Sequence, residues 1–191
     1  MIVPISTSAP PVINLEKDSE ILHSATAVTE AIAQVAGAIS FDYAQRDPVL
    51  LVVMNGGLWF AGQLMSHLRF PLQIDCCHVT RYRGTTSGGA LAWLARPSLA
   101  LCDREVVVID DILDEGHTLQ AIVDDVRSQG AASVKTAVLV EKHHSRKAYL
   151  GMRPDYCALS VPDRYVFGAG MDYQHYWRNL SEIRTLKQPA S

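Results

Sequence analysis

Apolar residues recur along this chain in two patterns. From about His23 to Tyr43, Val28, Ile32, Val35, Ala36 and Ile39 return every three or four positions, the spacing of one face of an amphipathic helix. Val49–Met54 (VLLVVM) is instead a short unbroken apolar run between Pro48 and Asn55-Gly56-Gly57. A run of that kind predicts a strand covered on both faces. Glu105–Ile109 (EVVVI), Val134–Val140 and Tyr156–Val161 predict three more buried strands, and Leu72–Tyr82 is strand-like. Leu58–Leu68 predicts a helix. Another is expected from about Thr118 to Gln129, with Leu119, Ile122, Val123 and Val126 on one face and Gly130 at its end. Strands alternating with helices predict an α/β fold, a mostly parallel twisted sheet flanked by helices. In such sheets ligands bind beyond the carboxyl ends of the strands. Two stretches give no element: residues 1–18, a poorly specified lead-in, and the tail after Ile183. Arg83–Ala90 (RGTTSGGA) is polar and Gly-rich and predicts a mobile loop.

The length of 191 residues favours one domain, here spanning 1–191 with its core at about 45–160. Net charge is −3, so no global basic field invites nucleic acid or an anionic membrane, and an anionic ligand needs a local device. The longest apolar run is far too short to cross a bilayer. The start lacks a basic n-region and is broken by Pro4, Pro10 and Pro11, unlike a signal peptide. The expectation is therefore a cytoplasmic protein. Cys76, Cys77, Cys102 and Cys157 show no CxxC spacing, and three sit in or beside apolar segments, which predicts buried, reduced thiols rather than a zinc site.

Chemistry concentrates in Val106–Leu119, VVVIDDILDEGHTL. An apolar strand runs into Asp110-Asp111, two apolar residues follow, and Asp114-Glu115-Gly116-His117-Thr118 opens a helix. Unpaired N–H groups and the positive end of the dipole suit a helix start to a phosphate. Gly116 permits a tight turn and close approach, and Thr118 can add a hydroxyl donor. Three carboxylates beside a phosphate would repel it unless they bind sugar hydroxyls, a metal ion or a developing cation. Asp114 alone could equally be an N-cap. The segment is neither a Walker loop nor a dinucleotide fingerprint. A second candidate anion site is Met54-Asn55-Gly56-Gly57, where glycines after a strand let amides approach a ligand.

VVVIDDILDEGHT resembles the phosphoribosyl diphosphate signature of type I phosphoribosyltransferases, and PDRYVFGAGMDYQHYWRNL (162–180) is similar to the C-terminal segment of their hypoxanthine-guanine branch. The resemblance spans roughly residues 20–186 and implies that family's fold, with a small hood formed from the chain ends and a purine-binding segment at 161–186. It implies that Asp110 and Asp111 hold the ribose hydroxyls and that Glu115, Gly116, His117 and Thr118 cradle the 5-phosphate. Asp114 becomes the catalytic carboxylate near the purine N7. Asn55 and Gly56, after a cis peptide expected at Met54–Asn55, would contact pyrophosphate together with Arg178. Lys142 would bond the purine 6-oxo group, Tyr165 stack on the base, and the Val166 backbone meet its edge. Asp172 would lie beside a magnesium ion on the pyrophosphate, with Asp110 and Asp111 as further candidate ligands. Arg81 and Tyr82 would belong to an active-site lid. Two positions depart from the family pattern: Asn55 stands where the branch commonly has lysine, and Arg81-Tyr82 where a Ser-Tyr pair is common.

The activity so implied is transfer of a 5-phosphoribosyl group from phosphoribosyl diphosphate to hypoxanthine or guanine, with Mg²⁺ as helper ion, by a homodimer or homotetramer. A regulator of the same fold that binds RNA and senses phosphoribosyl diphosphate is the alternative from another class. The acidic net charge argues against it. A xanthine-preferring enzyme stays open, because base selectivity turns on small placements of backbone carbonyls.

Overall fold

The computed structural model describes residues 13–81 and 91–187. Asn14 caps a single helical turn, α1 (Leu15–Asp18), its Oδ1 accepting from the amides of Glu16 and Lys17. The chain continues through β1 (Ser19–His23), α2 (Ala25–Tyr43), β2 (Val49–Met54), α3 (Gly57–Met65), β3 (Gln73–Arg81) and β4 (Leu91–Ala95). It then forms β5 (Glu105–Leu113), α4 (His117–Ser128), β6 (Ser133–His143), β7 (Tyr156–Pro162), β8 (Val166–Phe167) and β9 (Ile183–Leu186).

Six strands form one sheet in the order β4-β3-β2-β5-β6-β7. Every pairing in it is parallel except β3 with β4. The unbroken apolar runs are explained by helices on both faces. Leu50, Val52, Val107 and Ile109 pack with Val28, Ile32, Phe60 and Leu64 of α2 and α3. Their neighbours Val49, Leu51, Val106 and Val108 pack with Leu119, Ile122 and Val126 of α4. With side chains alternating faces, every position of such a strand must be apolar. Full burial of one such side chain stabilises by about 1.5–3 kcal/mol, so the central strands fix the frame on which the loops sit.

Three findings go beyond the pattern of apolar residues. β5 does not stop at Ile109. β6 runs alongside it and pairs Asp110 with Val138, Ile112 with Val140 and Leu113 with Glu141, so the acidic pair lies within the strand. The chain ends are not featureless either. β1, β9 and β8 build an antiparallel three-stranded sheet in that order, the hood implied by the resemblance. Buried Arg184 ties it together, donating from Nε to Ser19 Oγ (2.9 Å) and from Nη2 to the Leu15 carbonyl (2.9 Å). Third, the edge strand β4 was not expected. Of the four cysteines expected to be buried, only Cys77 is; Cys76, Cys102 and Cys157 are exposed. Within the described residues, no helix is long and apolar enough to cross a membrane.

Candidate active site

The carboxyl ends of β2 and β5 lie side by side and carry the two loops singled out above. The Met54–Asn55 peptide is cis. Gly57 sits against β5 so closely that a Cβ there would come within 2.6 Å of the Ile109 carbonyl oxygen. At Gly56 a Cβ would stand 2.0 Å from Asp111 Oδ2. Gly170 closes the other side, since its own Cβ would lie 2.5 Å from the Gly56 carbonyl oxygen. Three segments distant in sequence thus meet where only hydrogens fit.

Beyond β5 the chain turns through Asp114, Glu115 and Gly116 into α4. Gly116 has φ +89°, the left-handed conformation glycine adopts without strain, and a Cβ would also strike Met152 Sδ at 2.4 Å. The first turn of α4 therefore presents its N–H end over the strand end, where the dipole favours an anion. Asp110, Asp111, Asp114, Glu115, Gly116 and Thr118 line a cleft of about 390 Å³ there. His117 Nε2 lies 4.0 Å from Glu115 Oε2.

The acids are in different electrostatic states. Burial, and next the charge of Asp111, push the Asp110 carboxyl well above the usual carboxylate range. Burial raises Asp111 too, against the opposing effects of the Asp110 hydrogen bond and the Arg178 guanidinium. Hydrogen-bond donors such as sugar hydroxyls, or further positive charge, favour the ionised form of both. Asp114 is different. Partial burial works to raise it, but hydrogen bonds from Lys142 and His144 outweigh that and hold it below the usual range.

The structure also shows what grips Asp114. Lys142, at the end of β6, donates from Nζ to Asp114 Oδ2 at 2.6 Å. His144 Nε2 lies 2.6 Å from Oδ1. Lys147 Nζ donates to the carbonyls of Leu113 (3.0 Å), Asp114 (2.8 Å) and Lys142 (2.9 Å), fixing the backbone from both strands. Neither His144 nor Lys147 stood out in the sequence. The signal lay in the pairing of parallel β5 and β6: with Leu113 opposite Glu141 and β6 ending at His143, residues 142–147 run past Asp114 at the end of the sheet.

The C-terminal segment supplies the remaining candidates. Arg178 donates to the Gly170 carbonyl (2.6 Å) and to Asp172 Oδ1 (2.7 Å), and lies 3.7 Å from Asp111 Oδ2. It therefore links Asp172 to the acidic pair. Asp172 Oδ2 also accepts from the His175 amide at 2.8 Å. Tyr165 is 50% exposed, and its hydroxyl donates to the Asp172 carbonyl at 2.8 Å. Val166 is buried and pairs with Thr185 of the hood, whose hydroxyl donates to the Tyr165 carbonyl at 2.7 Å. Of the expected lid, Tyr82 lies outside the described residues, and Arg81 is placed only as the last residue of β3.

Among the described residues no cluster of three or more His, Cys, Asp or Glu side chains forms a ready metal cage. Arg178 stands between Asp111 and Asp172. The donors are carboxylate oxygens, which suit a hard ion such as magnesium held mainly by the phosphates of a ligand. The residues fit that kind of ion.

Known proteins resemble this chain over most of its length. The phosphoribosyl transferase domain model matches residues 18–175. A hypoxanthine-guanine phosphoribosyltransferase of Streptococcus pneumoniae is 32% identical over 176 residues, covering 91% of this chain and 97% of that protein. A hypoxanthine-guanine-xanthine phosphoribosyltransferase of Tritrichomonas foetus is 31% identical over 182 residues, covering 95% and 97%. Among solved structures, a hypoxanthine phosphoribosyltransferase of Staphylococcus aureus superposes with a TM-score of 0.84 at 28% identity, covering 90% of this chain and 93% of that one.

Proposed function

This chain belongs to the phosphoribosyltransferase family and is a transferase, and from that premise we propose that it joins a 6-oxopurine, hypoxanthine or guanine, to the ribose 5-phosphate of phosphoribosyl diphosphate in purine salvage. The observation that carries this reading is the placement of Asp110, Asp111 and Asp114 around one cleft at the N-terminus of α4, with Lys142 against Asp114. A phosphate needs the helix amides, and a sugar that becomes cationic needs the carboxylates.

In this reading Glu115, Gly116, His117 and Thr118 surround the 5-phosphate, and Asp110 and Asp111 accept hydrogen bonds from the ribose hydroxyls. Asn55, Gly56 and Arg178 face the pyrophosphate. Tyr165 offers a ring face to the base, an arrangement that favours flat aromatic ligands, while the Val166 backbone meets the base edge. As the bond from C1 to pyrophosphate breaks, positive charge grows on the sugar ring. Fixed carboxylates lower the energy of that charge most where water is kept out. The purine N9 attacks, and Asp114 takes or stabilises the N7 proton as a general base. Magnesium bound with the pyrophosphate, beside Asp172 and the Asp110–Asp111 pair, would supply charge neutralisation to the leaving group. A homo-oligomer in the cytoplasm is part of the same proposal.

The test is direct. Incubated with phosphoribosyl diphosphate, Mg²⁺ and each of hypoxanthine, guanine, xanthine and adenine, the protein should release pyrophosphate in step with IMP or GMP. Absence of any nucleotide product, or a preference for adenine, would contradict the reading.

Lys142 gives a sharper prediction. Its removal takes a charged donor from the 6-oxo group, so Lys142→Ala should raise the KM for hypoxanthine and guanine by about 10–100-fold, the range for one charge-assisted hydrogen bond. Residual turnover of adenine, which has no oxo group, should fall much less. Equal losses for both kinds of base would remove Lys142 from the base site and leave it only as the partner of Asp114.

A further inference from the structure

His144 is held in a way its position after a strand does not require. Its side chain is only 3% exposed. Nδ1 accepts a hydrogen bond from the backbone N–H of Arg146 at 3.0 Å, so that nitrogen carries no hydrogen and the ring's hydrogen sits on Nε2. Nε2 points at Asp114 Oδ1, 2.6 Å away. Arg146 is itself fixed by a two-pronged pair with Asp163, at 2.7 and 2.9 Å. A chain of bonds thus runs Asp163–Arg146–His144–Asp114. It starts two residues before Tyr165, on the wall assigned to the purine.

Lys142, the other partner of Asp114, differs in kind. It has a flexible four-carbon stem, three donors, and a side chain 12% exposed. In the proposed reaction Lys142 must turn toward the purine 6-oxo group, which loosens its hold on Oδ2. Asp114 then needs a partner that stays. A carboxylate free to rotate would spend little time aimed at N7, and small misplacements of a reacting group cost much in rate.

We propose that His144 is a positioning residue for Asp114, its Nε2–H holding Oδ1 in place while Oδ2, released by Lys142, meets the purine N7. The inference rests on the proposed role of Asp114. It assigns to His144 the part of an orienting donor, fixed in one tautomer by the Arg146 amide, as outer partners orient the working group in many sites.

The experiment compares His144→Phe, His144→Gln, Asp114→Asn and the double variant H144F/D114N in steady-state assays with hypoxanthine. Phenylalanine keeps the ring and removes the donor. Glutamine can place its amide N–H near the position of Nε2. H144F should lower kcat by about 10–100-fold while the KM for phosphoribosyl diphosphate moves by less than about threefold, as for loss of one charge-assisted hydrogen bond acting only on the chemical step. H144Q should recover most of that loss, and H144F should add little to D114N, because two residues acting through one group are not additive. An unchanged kcat in H144F, no rescue in H144Q, or losses that multiply in the double variant would each overturn the proposal. Full activity in D114N would instead sink the role of Asp114 and this inference with it. If H144F fails to fold, a nitrogen spectrum of histidine-labelled wild-type protein decides: the Nε2–H tautomer at His144 is expected, and the Nδ1–H tautomer overturns the proposal.

Discussion

Replacing Asp114 with asparagine is expected to lower turnover by roughly 10²–10⁴-fold, the range for loss of a general acid or base. The substitution preserves shape, so its effect isolates chemistry. A carboxylate offers an acceptor to Lys142 at one oxygen and to His144 at the other. An amide offers only one oxygen, and its NH₂ must face a donor on one side. Asparagine also cannot take the N7 proton. Binding of phosphoribosyl diphosphate, which the account assigns to other groups, should change little, so the loss belongs in kcat. The check is a steady-state comparison of kcat and both KM values at saturating Mg²⁺. A variant that turns over at the wild-type rate would show that Asp114 is not the base.

The second large effect is expected at a residue with no functional group. A Cβ on Gly56 would lie 2.0 Å from Asp111 Oδ2 and 2.3 Å from its Cγ. The backbone there is ordinary right-handed helical, φ −62° and ψ −49°, so alanine brings no conformational strain. The collision falls on a side chain that can swing, so the fold should survive with little change in melting temperature. What moves is the Asp111 carboxylate, with the 3.7 Å approach to Arg178. Displacing a positioning group by about 1 Å can lower rate by roughly 10²-fold, and Gly56→Ala should therefore lower kcat/KM for phosphoribosyl diphosphate by about that factor. The measurements are a thermal melt and a substrate titration. Unchanged kcat/KM would mean that Asp111 does not touch the ribose in the way proposed.

How far the sequence carries this account depends on the kind of residue. The central strands were legible because Val49–Met54 and Val106–Ile109 are apolar at every position, a pattern that follows from helices on both faces. The acidic loop was legible because Asp110, Asp111, Asp114 and Gly116 lie close together in sequence and their chemistry makes sense only together. The hood was not legible in the pattern. β1 and β9 are short, and each is defined by pairing with the other across nearly the whole chain, so local periodicity says nothing about them. His144 was missed for a related reason. Its meaning comes from the parallel pairing of β5 with β6, which brings it to Asp114 although thirty positions separate the two. Adjacent His143-His144 taken alone are not at ligand spacing for one helix face. Strand length was misjudged where polar residues continue a pairing that apolar ones began, as at Asp110 and Asp111.

The central claim is geometric: the start of α4 receives the sugar's phosphate while the neighbouring carboxylates face its ring. A crystal structure of the protein with inosine monophosphate tests it most directly. The account predicts the 5-phosphate against the amides of residues 115–118, the ribose hydroxyls on Asp110 and Asp111, and the base between Tyr165 and Lys142. A nucleotide bound elsewhere, or one in this cleft with its phosphate turned away from α4, would contradict it.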